Sequence, residues 1–155
     1  MKSNNTGTGK KIAFLQKKYR SKPLAAGEIS EKLYSEFISC HQCTDCAVCC
    51  KKLGPRITRH DIQLLAKKLG LKENTLTLQY FKTDEDGDIV FRSMPCPFSV
   101  NDNLCKVYEA RPRACSEYPH ISRHSFYKLL KTHEKNYRYC PAVVYVIDKL
   151  YELSQ

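Results

Sequence analysis

No stretch of this sequence is long and apolar enough to cross a membrane, and no segment repeats another. Because a membrane-spanning helix needs about 20 predominantly apolar residues, we expect no membrane-embedded part. Residues 1–9 are rich in Ser, Asn, Thr and Gly, and they lack the apolar core of a signal peptide. This composition predicts a disordered N-terminal tail over 1–9 and a cytoplasmic location.

Cysteine, in contrast, is abundant, with nine among 155 residues. The spacing C-x2-C-x2-C-x2-C-C joins five of them: Cys40, Cys43, Cys46, Cys49 and Cys50. The other four follow downstream: Cys96, Cys105, Cys115 and Cys140. Two intervening residues let successive sulfurs turn toward one metal centre, as they do in zinc and iron–sulfur loops. This pattern predicts a metal-binding protein.

A disulfide framework is the competing interpretation of so many cysteines, and it is typical of small secreted chains. Three observations weigh against it. The N-terminus does not resemble a secretion signal, and the number of cysteines is odd. Cysteines separated by two residues would also close rings too small to gain much stability from a cross-link. We therefore favour bound metal in a reducing compartment.

The formal net charge of the chain is +10, a sum that treats every cysteine as a neutral thiol. If eight thiolates bound two divalent ions, the net charge would fall to about +6. Lysine and arginine near thiolates also lower the free-energy cost of holding negative charge. We therefore interpret the basic balance as compensation for cysteine-bound metal rather than as a sign of nucleic-acid binding.

Hydrophobic residues make up 42% of the chain, which is enough for the core of one domain of ordinary size. Thr58 followed by Asp61 predicts a capped helix start, and Gly70 predicts its end. An acidic turn precedes a segment with strand composition at 88–92. Together with helical apolar periodicity, these signals predict an α-rich fold (α+β with a minor hairpin) in a small single domain over 10–155. The predicted helices lie near 10–20, 28–39, 58–69, 73–81 and 141–153.

The cysteine-bearing segments contain an ordered string of motifs. CxxCxxCC at 43–50 is followed by Cys-Pro-Phe at 96–98 and by C-x-V-Y-x-x-R-P-x-x-C-x-x-Y-P at 105–119. This string resembles the YkgJ-like cysteine cluster family over a motif core of 40–120, and the resemblance implies a domain that chelates zinc or iron. The sequence departs from the family at Ala47, where Gly is usual. If that position has a positive backbone angle φ, alanine costs about 1 kcal/mol relative to glycine.

Cysteine spacing and the family motifs together predict that seven thiols converge in space, with Cys140 close by. Cys96 and Cys105 are expected to form the two arms of a knuckle, because the turn at 101–103 separates them. Arg111 is predicted to donate hydrogen bonds to a metal-bound sulfur or to a loop carbonyl; the alternative is a surface arginine that caps a helix. Cys40 is then left as a spare thiol. The predicted metal ligands are Cys43, Cys46, Cys49, Cys50, Cys96, Cys105, Cys115 and Cys140.

The sequence leaves the metal open between zinc and an iron–sulfur cluster, for which a four-iron type is one option. Eight ligands suffice for two four-thiolate sites. The adjacent pair Cys49 and Cys50 suits two centres, or two irons of one cluster, better than it suits a single ion.

The leading hypothesis is a cytoplasmic metal-binding protein. Some members of the family it resembles are flagellin lysine methylases, so an iron–sulfur-dependent protein-modifying enzyme, such as a lysine N-methylase, is one alternative. A zinc-stabilised nucleic-acid or protein adaptor is the other. Nucleic acid is disfavoured as a partner because no recognition motif with interleaved aromatic and basic residues is visible. Whether the protein is an enzyme stays open at this point.

Overall fold

The computed structural model describes residues 5–155, apart from the side chains of residues 5, 6, 43 and 102. In chain order its elements are α1 (Asn5–Lys18), α2 (Pro23–Cys40), α3 (Val48–Lys52), α4 (Arg59–Leu69), α5 (Glu73–Tyr80), β1 (Phe81–Thr83), β2 (Ile89–Phe91), α6 (Arg113–Ser116), α7 (Leu130–Asn136) and α8 (Pro141–Ser154). The predicted α-rich fold with a minor hairpin is therefore confirmed. Within this described part, no helix combines the length and the apolar character that a membrane crossing requires.

The chain divides into two compact units. The helical unit comprises residues 1–42 and 119–155, and the cysteine unit comprises residues 43–118. The cysteine unit nearly coincides with the motif core of 40–120. That residues 10–155 form a single domain stays a prediction.

In the helical unit, α1, α2, α7 and α8 pack around one hydrophobic core. Leu15, Val143 and Leu150 are completely buried in it. Gly27 lies inside α2, where a Cβ would lie 1.9 Å from the carbonyl oxygen of Arg123. Only glycine permits this close approach, which accounts for a residue of low helix propensity inside the helix.

The N-terminal helix α1 begins earlier than the sequence predicts. Residues 5–9 belong to it, so the expected disordered tail over 1–9 is wrong for that part, and residues 1–4 lie outside the described residues. The physical reason is tertiary packing: Thr8 is buried, and a Cβ at Gly9 would lie 3.1 Å from Oε1 of Glu134. Contacts of this kind override a polar composition.

His133 is a polar residue in the core of the helical unit. Its ring is fully buried and stacks on Phe126, with 4.9 Å between the ring centroids. Neither ring nitrogen has a hydrogen-bond partner within the described part of the chain. Burial, reinforced by nearby His120, lowers the pKa of His133 to about 4. The folded state therefore favours the neutral imidazole.

The cysteine unit has its own hydrophobic core between α4, α5 and the hairpin. Strands β1 and β2 are antiparallel and pair Phe81 with Phe91, both of which are buried. Thr58 caps α4 through a reciprocal pair of hydrogen bonds with Asp61, and Gly70 ends the helix in the left-handed conformation. These three signals confirm the predicted helix at 58–69 almost to the residue.

The other predicted helices are also present, with shifted ends. The helix predicted at 141–153 is α8, which begins at Pro141. The helix predicted at 28–39 is α2, but it begins at Pro23 rather than after Gly27. Proline is compatible with the first turn because the backbone N–H that it lacks has no partner within the helix there.

Candidate metal centre

The first cysteine cluster forms a tight loop that leads into α3. Residues Cys43–Asp45 make one 3-10 turn, and Ala47 then reverses the chain with φ 45° and ψ 25°. This is the left-handed conformation that favours glycine, so the positive φ considered from the sequence is present. It places Cys49 and Cys50 in the first turn of α3, with their sulfurs 4.0 Å apart.

The second cysteine-bearing segment folds back as a knuckle. An antiparallel bridge joins Ser99 to Cys105, and the N–H of Lys106 donates to the carbonyl of Phe98 at 2.9 Å. The predicted approach of Cys96 and Cys105 as two arms is thus confirmed. Phe98 anchors the knuckle because its side chain is buried in the core of the cysteine unit.

Two hydrogen bonds fasten the knuckle to the first loop. The N–H of Cys96 donates to the carbonyl of Cys50 at 2.8 Å. The side-chain amide of Asn103 donates to the carbonyl of Thr44, also at 2.8 Å. Asn103 itself has a φ of 60°, a conformation that asparagine tolerates better than most residues. Sequence reasoning treated Asn103 only as a turn former and missed this link.

Cys115 reaches the same region from the short helix α6. The buried carboxylate of Asp61 accepts the backbone N–H of Arg113 at 2.8 Å, which holds the start of α6 against α4. Burial alone would raise the pKa of Asp61, but hydrogen bonds from Thr58 and Arg113 outweigh it and lower that pKa. Asp61 was recognised from sequence as a helix cap, whereas its second role on the cysteine-bearing segment had no local signal.

Four thiols lie close enough to influence one another's ionisation. Burial raises the pKa of Cys115 to about 12, and charge on Cys96, Cys50 or Cys105 adds to this effect. Burial likewise raises the pKa values of Cys96 and Cys105. Cys50 differs, because a hydrogen bond with the Cys49 thiol lowers its pKa to about 6. The adjacent pair Cys49 and Cys50 therefore gives up a proton more readily than the more deeply buried thiols Cys96, Cys105 and Cys115.

Arg111 is a cation shared by three of these thiols, and Lys51 acts on Cys50 as well. The charge of Arg111 lowers the pKa values of Cys50, Cys105 and Cys115. The guanidinium stacks on the Tyr108 ring at 3.7 Å, and its Nε donates to the Tyr108 carbonyl at 2.9 Å. This bond is local, because Tyr108 belongs to the 3-10 turn that precedes Arg111. A bond from Arg111 to a metal-bound sulfur or to a carbonyl of the cysteine loop stays a prediction.

The structure shows fewer contacts for the remaining predicted ligands. Cys46 is half-buried in the first loop, whereas the side chain of Cys43 lies outside the described part. Cys140 precedes α8 in the helical unit, so its participation stays a prediction. Cys40 is exposed at the end of α2. Among the side chains that the structure describes, no three potential ligands are near enough to hold an ion as they stand.

The donor set nevertheless fits zinc or iron chemically, because thiolates are the ligands that both metals use in cysteine-rich sites. Comparison with known proteins points the same way. The model of the CxxCxxCC family, described as "Putative zinc- or iron-chelating domain", matches residues 42–141. The matched range includes all eight predicted ligands and leaves out Cys40. No curated protein and no solved structure matches the chain.

Proposed function

The chain belongs to the CxxCxxCC family, and from this premise we propose that its cysteine unit is a thiolate metal centre that binds zinc or iron. Cys50, Cys96, Cys105 and Cys115 are its first ligands. Cys43, Cys46 and Cys49 from the loop, together with Cys140, complete the donor set.

The observation that carries this proposal is the gathering of four partly buried thiols from separate segments. The N–H of Cys96 bonds to the carbonyl of Cys50, the knuckle brings Cys105 beside Cys96, and Asp61 holds the segment that bears Cys115. Burying ionisable groups side by side is unfavourable, since each one raises the free-energy cost of charging the next. A bound metal reverses this cost because it takes the thiols as thiolates and compensates their charge. Grouping these thiols is therefore favourable when they bind a metal as thiolates, and it is unfavourable when they ionise without one.

The residues of the chain have distinct tasks in this site. Arg111 compensates negative charge on three of the thiols, and the N–H of Cys96 holds the knuckle to Cys50. Asp61 holds the segment that bears Cys115. Zinc would supply a closed structural cross-link, whereas an iron–sulfur cluster would also supply electron transfer. A reducing compartment such as the cytoplasm is part of the proposal, because the ligands must remain thiolates.

The test is metal analysis of protein purified without oxygen, since oxygen destroys many iron–sulfur clusters. We expect at least one equivalent of bound zinc or iron per chain by plasma mass spectrometry. Visible absorption near 400 nm would identify iron–sulfur, and a colourless zinc protein would identify a structural site.

Single substitutions sharpen this test. Cys50→Ser and Cys115→Ser should each lower the metal content at least fivefold. Cys40→Ser is the matched control: it should leave the metal content unchanged, because Cys40 is exposed and lies outside the matched family range. A metal-free wild type, or equal metal content in all three variants, would reject the proposal.

A further inference from the structure

The positive charge of the chain is unevenly divided between the two units. The helical unit has 14 Lys and Arg against 6 Asp and Glu, a net charge of +8. The cysteine unit has 12 against 10, a net charge of only +2. Compensation of thiolates, the interpretation favoured from the sequence, therefore does not account for most of the excess. The helical unit needs a separate explanation for its charge.

Most cations in the described part of this unit lie outside the ion pairs that the structure shows. In the described part of the helical unit, ion pairs occupy Lys11, Arg123 and Lys149. Ten further lysine and arginine residues are exposed and lie outside these pairs: Lys10, Lys17, Lys18, Arg20, Lys22, Lys32, Lys128, Lys131, Lys135 and Arg138. An excess of this size makes the surface attractive to a polyanion.

Four of the exposed cations form one stripe. Lys128, Lys131, Lys135 and Arg138 recur at intervals of three and four residues, which places them on one face of α7 and the turns that flank it. The helical backbone continues beyond α7, since the N–H of Cys140 donates to the carbonyl of Asn136 at 2.9 Å. We call these four residues the basic stripe.

Helix α1 lies alongside the basic stripe. The Tyr127 hydroxyl donates to the carbonyl of Gln16 at 2.8 Å, and Gly9 adjoins Glu134. These two contacts place the exposed side chains of Lys10 and Lys17 in the turns of α1 that border α7. Both α1 and the segment of the basic stripe therefore carry exposed cations.

An open groove of about 510 Å³ follows the end of the basic stripe. Arg138 belongs to both, and Tyr139, Tyr145 and Lys149 also line the groove. So do the proposed ligand Cys140 and the carboxylate of Asp148, whose charge is compensated by its ion pair with Lys11. The Tyr145 hydroxyl donates to Glu36 at 2.7 Å, which fixes the direction of its ring. Tyr139 is half-buried and lies outside the hydrophobic core cluster. The groove therefore combines aromatic rings with cations.

We propose that the basic stripe and the adjoining groove bind single-stranded nucleic acid. The stripe contacts the phosphate backbone, and Tyr139 and Tyr145 stack on bases in the groove. Cations beside aromatic rings are the usual composition of surfaces that bind single strands without sequence preference. An acidic membrane fits less well, because the apolar faces of α1 and α7 are buried in the core and cannot insert between lipids. The inference does not depend on which metal the cysteine unit binds.

The test measures fluorescence anisotropy of labelled 20-nucleotide oligouridine RNA and oligothymidine DNA with the full-length, metal-loaded protein. We expect both to bind, since the phosphate and base chemistry is shared, and a preference for RNA would indicate contacts to the 2′-hydroxyl. Affinity should fall with salt by about 0.7 logarithmic units per contacted phosphate for each tenfold increase in salt. Failure to bind either strand at 50 mM salt, or binding only to vesicles containing phosphatidylglycerol, would overturn the proposal.

Matched variants distinguish binding by the basic stripe from binding by net positive charge alone. The triple variant Lys128→Gln, Lys131→Gln, Lys135→Gln should weaken binding at least tenfold and reduce the salt slope by about 2. Its control is Lys67→Gln, Lys72→Gln, Lys82→Gln, which removes the same charge from exposed positions of the cysteine unit and should change affinity less than twofold. An equal loss in both would show that any positive charge suffices and would overturn the assignment.

A second pair of variants tests stacking. Tyr139→Leu should weaken binding about tenfold, and Tyr139→Phe should bind as the wild type does, because the ring and not the hydroxyl meets the base. Circular dichroism and thermal unfolding verify that each variant keeps its fold. If Tyr139→Leu binds as tightly as Tyr139→Phe, the groove is not the base-stacking site.

Discussion

The two units of this chain are stabilised in different ways. The helical unit has long helices around a continuous aliphatic and aromatic core. The cysteine unit has a smaller core, and its cysteines lie on loops and on the one-turn helices α3 and α6. Helices of four or five residues are not stable by themselves in water. Apolar burial therefore organises the helical unit, and in the proposed function a bound metal supplies the cross-link for the cysteine-bearing segments of the other unit.

Removal of the metal should have the largest effect, and it should destabilise the cysteine-bearing segments much more than the helical unit. Cysteine-bound structural zinc supplies on the order of 10 kcal/mol of binding free energy, comparable to the stability of a whole domain. A strong chelator should therefore expose segments 40–56 and 93–120 to protease while much of the helical circular dichroism remains. Limited proteolysis with mass spectrometry locates the cuts. Holo and apo protein with the same cleavage pattern and melting temperature would contradict a structural metal.

The substitution Gly27→Ala should disturb the helical unit alone. The added methyl group would lie 1.9 Å from the Arg123 carbonyl oxygen, so the backbone must move, at a cost of about 3 kcal/mol or more. Gly7→Ala is the control within α1, where a Cβ meets no atom within 4 Å. It should stabilise the protein by about 0.5–1 kcal/mol. Urea unfolding followed at 222 nm measures both, and metal content should not change in either.

Acid should weaken the helical unit through His133. Its pKa is about 4 in the folded state and about 6.5 in an unfolded chain. The unfolded state therefore binds more protons between these values, so stability falls as pH drops through this window. By pH 4.5 the loss should reach about 2.5 kcal/mol. His133→Leu should remove it, and the measurement compares urea unfolding of variant and wild type at pH 7 and pH 4.5. Parallel pH profiles would contradict this role.

The smallest expected effect belongs to the cysteine unit. Ala47→Gly should stabilise it by about 1 kcal/mol, because glycine adopts the left-handed backbone of this position without steric strain. Loss of the buried Ala47 methyl group offsets part of the gain. Chelator titration gives the measurement, with metal retained to a higher chelator concentration in the variant. A variant that loses metal more easily would show that the methyl contact matters more than the backbone strain.

Local signals predicted much of the fold. Helix α4 was located almost to the residue because Thr58, Asp61 and Gly70 each have a conformational preference that acts within one turn. The knuckle of Cys96 and Cys105 was predictable for the same reason, since the turn residues lie between its two arms. Where a structural feature depends on residues that are close together in the chain, the sequence was sufficient to predict it.

Long-range contacts explain what the sequence did not predict. The helical start of α1 depends on packing near Glu134, and the need for glycine at position 27 comes from the nearby carbonyl of Arg123. The second role of Asp61 depends on Arg113, which is 52 positions away. Each of these partners is distant in the chain, so no window of neighbouring residues contains the information.

The order in which the chain is synthesised gives the division into units a further consequence. The helical unit is discontinuous, because its two halves flank the cysteine unit. On the ribosome, α1 and α2 emerge before the cysteine unit, whereas α7 and α8, which complete their core, emerge after it. The apolar faces of α1 and α2 thus remain exposed to solvent while the whole cysteine unit is translated. This interval is when a nascent chain of this kind has most need of a chaperone.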